Sequence, residues 1–411
     1  MQKTIKALNF IISWSIIIIP FSIAIAPGVT NTFMGFLLFA FLLKKLFTKE
    51  KLFIKTSITL PFLCLIAVSF VSFVNSVDYH SSFRGIFKLI QSILLFLICA
   101  QEIKDRKQVG RIILAITLGA SLASIDALWQ IQFGRDFIRG NELILNIGLK
   151  RATAAFPDAN VLGVYLSAIT PLIIGMALYY FKGLKKIIML GLSALAVIGI
   201  MLTFSRGTAL ALYLSILLIA LCRKDKLISI ALLVILLVFP FIVPQSIKDW
   251  AKEMHYNPIV LMCNTDRISM YKNAINMIKH HPVVGVGVNT FSKNYFKYKL
   301  PEPANARSGD SMYAHNHFLQ MAGEIGLVGL GIFFWLLFRL FKKNIQVYKS
   351  LKDRYYKVIL LSISASLFAF LINGLTETSL YYSRVAMIFW YLVGFSLSLS
   401  KFIDADTTRK N

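Results

Sequence analysis

Two imidazoles, two amides and a carboxylate cluster in Ala314-His315-Asn316-His317-Phe318-Leu319-Gln320 and the Glu324 that follows. They stand at the mouth of a long apolar stretch, where polar groups are costly enough to need a reason. Asn316 is suited to N-cap a helix, after which His317, Gln320 and Glu324 return to one face, at about 100 degrees per residue. His315 lies outside that helix and is free to point elsewhere. An imidazole that titrates near neutral pH can take a proton from a hydroxyl as that oxygen attacks, contributing roughly 10²- to 10⁴-fold. The alternative is a structural histidine beside a membrane helix. Glu324, about two turns into the helix, is placed either to orient His317 or to pair with an arginine.

Two arginines have a chemistry that complements these groups. Arg206, in Phe204-Ser205-Arg206-Gly207, is wedged between two apolar runs with almost no loop, at the outer end of the bundle. Its planar fork makes bidentate, charge-assisted bonds to a lipid-linked phosphate; the alternative is snorkelling to lipid headgroups. Arg267 opens an amphipathic segment, Arg267 to Lys279, in which Ile268, Tyr271, Ile275 and Ile278 recur at helical spacing. Thr265 or Asp266 is its expected N-cap and Pro282 its stop. Arg267 either joins Arg206 on one diphosphate, stabilising the charge of a departing group, or is a solvated residue in a first helical turn, a position slightly unfavourable for a cation.

The elements that must position these groups are membrane spans. Of 411 residues, 57% are hydrophobic, more apolar surface than one soluble core buries. The expected fold is all-α and polytopic, a single integral membrane domain over residues 1–411. About twelve spans are expected near 8–26, 29–47, 58–75, 84–100, 109–132, 159–181, 187–204, 207–222, 227–243, 316–340, 358–375 and 385–402. The first run is too long, and too poorly followed by a small-residue cleavage site, for a removable signal peptide. The first four spans read as scaffold and lipid-access surface, and Asp126 is the clear acidic residue inside a span.

The net charge of +25 follows topology rather than a nucleic-acid partner. Lysines and arginines gather after the second, fourth, sixth, eighth and tenth spans, while the loops around Gly28 and Asn75 have none, which puts both termini in the cytoplasm. On the other side, Phe133 to Asp158 and the large loop 244–315 between spans nine and ten are long enough to hold chemistry. In that loop the amphipathic helix is expected to lie at the outer interface, followed by a Gly285-Val286-Gly287 turn. Gly323, Gly326, Gly329 and Gly331 offer a smooth face for helix packing. The four cysteines show no disulfide or zinc pattern, and no metal site is expected.

These residues resemble a family. His315-Asn316 with Phe318-Leu319-Gln320, Glu324, Gly326 and Gly329-Leu330 is similar to the motif of the O-antigen ligase and polymerase superfamily of bacterial membrane glycosyltransferases. Three further pieces occur in the family's order. They are Arg151 with Ala154-Ala155-Phe156-Pro157-Asp158-Ala159-Asn160, then Thr203-Phe204-Ser205-Arg206-Gly207, and then Arg267 through His281-Pro282-Val283-Val284-Gly285-Val286-Gly287 to Phe291.

The resemblance implies glycan transfer from undecaprenyl diphosphate to an acceptor hydroxyl at the periplasmic face of the inner membrane, without metal, cofactor or nucleotide sugar. It implies Arg206 and Arg267 on the diphosphate, His315 activating or positioning the acceptor, and Arg151 as a third phosphate or glycan contact. Asn316, His317 and Glu324 complete the implied substrate-binding set. His317 departs from the minimal motif and either shares the role of His315 or fills space. In a ligase the acceptor is a sugar of the lipid A core; in a polymerase it is another glycan. A transporter or flippase is the reading from a different class, and would place charges and broken helices near the midplane, in similar halves. The gathering of arginines and histidines at one side favours an interfacial catalyst.

Overall fold

Short acidic and amide side chains set the helix starts in the computed structural model, which describes residues 1–52, 54–146, 149–242, 248–249, 252, 258–301 and 312–403. Helices α1 (Gln2–Ser22), α2 (Pro27–Thr48) and α3 (Thr59–Val71) lead to α4 (Tyr79–Glu102) and α5 (Arg106–Phe133). Asp78 and Asp105 cap the last two through the amides of Ser81 and Gln108. A two-stranded hairpin, β1 (Ile144–Asn146) and β2 (Leu149–Arg151), precedes α6 (Ala159–Tyr179), which Asp158 caps. Next come α7 (Gly183–Met201), α8 (Arg206–Arg223), α9 (Lys226–Ile242), α10 (Pro258–His280) and the single turn α11 (Phe291–Asn294). The chain closes with α12 (His317–Ser350), α13 (Arg354–Asn373) and α14 (Ser383–Ser398).

Among the described residues, ten helices are long and apolar enough to cross a bilayer. The other two expected spans coincide with shorter apolar helices, Thr59–Asn75 and Lys226–Val238, and the protein is an all-α polytopic membrane protein. Helix α6 and the helix from Ser383 form the centre: 89% of each apolar window is buried, against 22% for α7, which is peripheral. Basic residues from separate loops meet at one rim. There Lys44 pairs with Glu102 at 2.8 Å, Arg106 pairs with Asp353, and Lys401 donates to the Gln101 carbonyl at 2.7 Å. Arg206, the start of α12 and the end of α13 lie at the other rim.

Two expectations need correction. The helix holding Arg267 begins at Pro258, so Thr265 and Asp266 lie inside it and are not its cap. The face it packs is Met270, Asn273, Ala274 and Met277, against Phe291 and Tyr295, while Ile275 of the expected stripe is 43% exposed. Small Ala274 and pliable methionines fit closely against rings where β-branched isoleucines would not. In the large loop, 244–247, 250–251, 253–257 and 302–311 lie outside the described residues.

The span expected as unbroken over 316–340 is interrupted at Ile325 and Gly326, where Gly326 takes φ 74° and ψ 176°. The turn after α10 fills the gap. Val286 N–H donates to the Gly323 carbonyl at 2.9 Å, Gly287 N–H to that of Glu324 at 2.9 Å, and Leu327 N–H to that of Pro282 at 2.8 Å. Groups freed by the break are thus satisfied within the protein, as an apolar surround demands. Of the glycines expected to form a packing face, Gly326 admits a second backbone instead, while Gly323 packs against the Phe291 ring and Met277. The same turn is tied to the α3–α4 connection: Asn75 Nδ2 donates to the Gly285 carbonyl at 2.8 Å and Asn289 Nδ2 to that of Ser81 at 2.8 Å.

Candidate active site

Glu377, in the turn between α13 and α14, is the hub of the rim that carries Arg206. Its amide donates to the Asn373 carbonyl at 2.8 Å, which turns the side chain inward to 6% exposure. Oε1 accepts from Arg267 Nη2, and Oε2 lies 3.2 Å from His315 Nδ1. Burial opposes ionisation of Glu377, but the His315 hydrogen bond and the charges of Arg267, His315 and Arg151 outweigh it and hold the carboxyl below its ordinary range.

His315 sits at φ 44°, in the left-handed region that a side chain rarely adopts. Its neighbours impose that conformation. Tyr271 Oη donates to the carbonyls of His315 at 3.3 Å and Leu375 at 3.0 Å. Asn316 Nδ2 donates to the Leu375 carbonyl at 3.0 Å, and His317 N–H to that of Gly374 at 2.7 Å. Asn316 caps α12 through the Leu319 amide at 3.0 Å, as its position in the sequence implies. Nδ1 of His315 faces the Glu377 carboxylate, on a ring 23% exposed.

Arg151, at the end of β2, donates Nε–H to the Thr203 carbonyl at 2.8 Å and Nη2–H to Asn160 Oδ1 at 2.6 Å. It lies in the fields of Asp158, Arg267 and Glu377; burial is the largest influence, and lowers its pKa. Arg206 begins α8, exposed, and its neighbour Gly207 packs so closely on Thr376 that a Cβ there would meet Thr376 Oγ1 at 2.2 Å. Arg151, Arg267 and His315 therefore converge on Glu377, and Arg206 starts beside them. The guanidinium groups of Arg151 and Arg267 lie in the field of the Glu377 carboxylate, and Asp158 acts on Arg151 as well. Gly207→Val is expected to push Thr376, and with it Glu377, out of register and to cut activity at least about ten-fold; unchanged activity would show the contact to be slack.

His317 and Glu324 are not at this hub. His317 is 7% exposed, its ring edge-on to Phe318 and Phe333. Glu324 accepts from the Asn289 amide at 2.8 Å and from Gln320 Nε2 at 3.3 Å. Among the described residues it is bonded neither to His317 nor to an arginine; its nearest donor comes from the inserted turn. Asp126 accepts from the Phe137 amide at 2.8 Å and pins the turn after α5. The residue missed from the sequence is Glu377; its one signal is a carboxylate in the short turn before the last span, on the side of the large loop. Among the described residues no group of His, Cys, Asp and Glu could hold a metal ion.

The architecture defines a polytopic membrane protein with a cationic rim organised about one carboxylate. Residues 191–334 match the family model described as O-Antigen ligase, a match that supports the O-antigen ligase and polymerase superfamily. The matched segment contains Arg206, Arg267, His315, Asn316, His317 and Glu324; Arg151 and Glu377 lie outside it. A similar solved chain comes from work on structural coordination of polymerization and crosslinking by a peptidoglycan synthase complex. It is 17% identical with a TM-score of 0.43, over 84% of this chain and 97% of that one. Comparison with the curated proteins gives no match.

Proposed function

We propose that the chain is an O-antigen ligase of the bacterial inner membrane, transferring a glycan from undecaprenyl diphosphate to a sugar hydroxyl of the lipid A core at the periplasmic face. The observation that supports this reading most is Glu377 joined at once to His315 and Arg267, with Arg151 in its field. The acceptor oxygen attacks the anomeric carbon, its proton passes to His315 Nε2, and the bond from that carbon to the phosphate oxygen breaks. The electron pair leaves with the diphosphate. Arg267, Arg206 and Arg151 stabilise the charge that develops there, and Glu377 stabilises the imidazolium.

His315→Ala, Arg206→Ala and Arg267→Ala are each expected to abolish transfer while the protein still inserts in the membrane, since each group stands at the rim. Electrophoresis of lipopolysaccharide reads the outcome in a deletion strain carrying each variant. A ligase deletion leaves bare cores and glycan accumulated on undecaprenyl diphosphate. Cores capped with one repeat unit would assign the chain as a polymerase instead, and neither pattern would point to transport. Normal surface polysaccharide from all three variants would refute the site.

A further inference from the structure

Arg384, near the start of α14, is a buried cation that forms no ion pair among the described residues. Its Nη2 donates to the Ala155 carbonyl at 2.7 Å, and its Nη1 to that of Ile23, just past the end of α1, at 3.2 Å. The guanidinium lies 4.3 Å from the centre of the Phe156 ring. A charge held inside a protein by carbonyls alone is costly, and an apolar side chain of similar length would fill the space without that cost. What the planar fork adds is direction, because two carbonyls from separate segments and one ring face fix it in a single orientation.

Gln130, in the last turn of α5, grips the same stretch from another side. Its side chain is fully buried; Oε1 accepts from the amides of Thr153 at 2.8 Å and Ala154 at 2.9 Å. Nε2 donates to Thr153 Oγ1 at 3.0 Å and to the Asn141 carbonyl at 3.0 Å, and Asn141 Nδ2 donates in turn to the Ala154 carbonyl at 3.0 Å. Ala154 is thereby kept at φ 47°, in the left-handed region that a residue with a Cβ rarely adopts. Such strain persists where the surroundings over-determine it, and it gathers at functional sites.

The turn so clamped links Arg151 to Asn160, the residue that orients it. Arg151 spends Nε–H on the Thr203 carbonyl and Nη2–H on Asn160 Oδ1, while Nη1 has no hydrogen-bond partner among the described residues. That leaves one edge of the guanidinium for a phosphate. A shift of the turn by about an ångström would re-aim the edge.

We infer that Gln130 and Arg384 are positioning residues for the transfer: by clamping residues 153–156 they aim Arg151 at the diphosphate of the lipid-linked donor. The inference rests on Arg151 as a phosphate contact in the proposed function, and adds to it the two side chains that give this arginine its aim.

The test reads donor binding without turnover, with the full chain in lipid nanodiscs and undecaprenyl diphosphate as the probe. Arg151→Met, Arg384→Met and Gln130→Met are each expected to weaken binding about ten-fold, the effect of one charge-assisted hydrogen bond lost or misaimed. Either clamp variant combined with Arg151→Met is expected to bind within about two-fold of Arg151→Met alone, because the clamp acts only through that arginine. Arg384→Lys keeps the charge but cannot span both carbonyls in one plane, and is expected to bind as poorly as Arg384→Met. Elution profile and unfolding temperature check each variant. Should both clamp variants fail to fold, Asn141→Ala, which frees only the Ala154 carbonyl from a half-buried side chain, is expected to show the same pattern at about three-fold.

Losses of about a hundred-fold in the double variants would show that the clamp and Arg151 act independently, and would overturn the inference. So would clamp variants, or Arg384→Lys, that hold the donor as the wild type does. A wild type that does not bind undecaprenyl diphosphate would sink the proposed function itself, and the inference with it.

Discussion

Glu377→Gln is expected to lower the turnover of glycan transfer by about 10²- to 10³-fold without raising the KM for the lipid-linked donor. Glutamine preserves shape and still accepts a hydrogen bond from His315, but it offers no charge to the imidazolium that forms as the acceptor loses its proton. Arg267, released from its carboxylate, keeps its hold on phosphate. A purified-protein assay with varied donor separates the two parameters. Turnover within about three-fold of wild type would remove Glu377 from the mechanism.

The same variant has a signature in stability. The folded-state pKa of Glu377 is depressed, so its charge stabilises the fold above the ordinary carboxylate value, and that contribution disappears as pH falls through the folded-state value. The gap in unfolding temperature between wild type and Glu377→Gln should therefore open on going from acid to neutral pH. A gap independent of pH would mean that the carboxylate acts by shape alone.

Gly326→Ala is expected to cost about 4 kcal/mol or more and to leave little folded protein. Its φ of 74° and ψ of 176° lie in a region that only glycine occupies readily, and a Cβ there would fall 1.9 Å from the Val283 carbonyl oxygen. That oxygen belongs to a backbone held on both sides, so it cannot step aside. Gly331 is the control: it lies in the same helix, with nothing within 4 Å of an added Cβ. Gly331→Ala should unfold with the wild type in a detergent melt, and a Gly326→Ala protein that did the same would show the interruption to be dispensable.

Much of the frame is legible in the chain because membrane helices announce themselves locally. The runs ending at Thr48, Phe133 and Asn373 are long and apolar, and Asn316 states its capping role through its neighbours alone. The hub could not be read this way. Glu377 meets His315 across 62 positions and Arg267 across 110, and no periodicity links such partners. Gly326 was visible, but a glycine that lets helices pack and one that breaks a helix look alike until the complementary amides of Val286 and Gly287 are placed. The isoleucine stripe of α10 misled for a related reason, since the partner surface, not the stripe, decided which side was covered.

The exchange of hydrogen bonds at the interrupted helix bears on how the chain is made. Residues 282–287 leave the ribosome before residues 323–327, so the segment that completes the later one is already waiting when it arrives. The exposed carbonyls and amides of the late segment then need never face hydrocarbon alone, and the order of biosynthesis itself becomes a guard against misassembly.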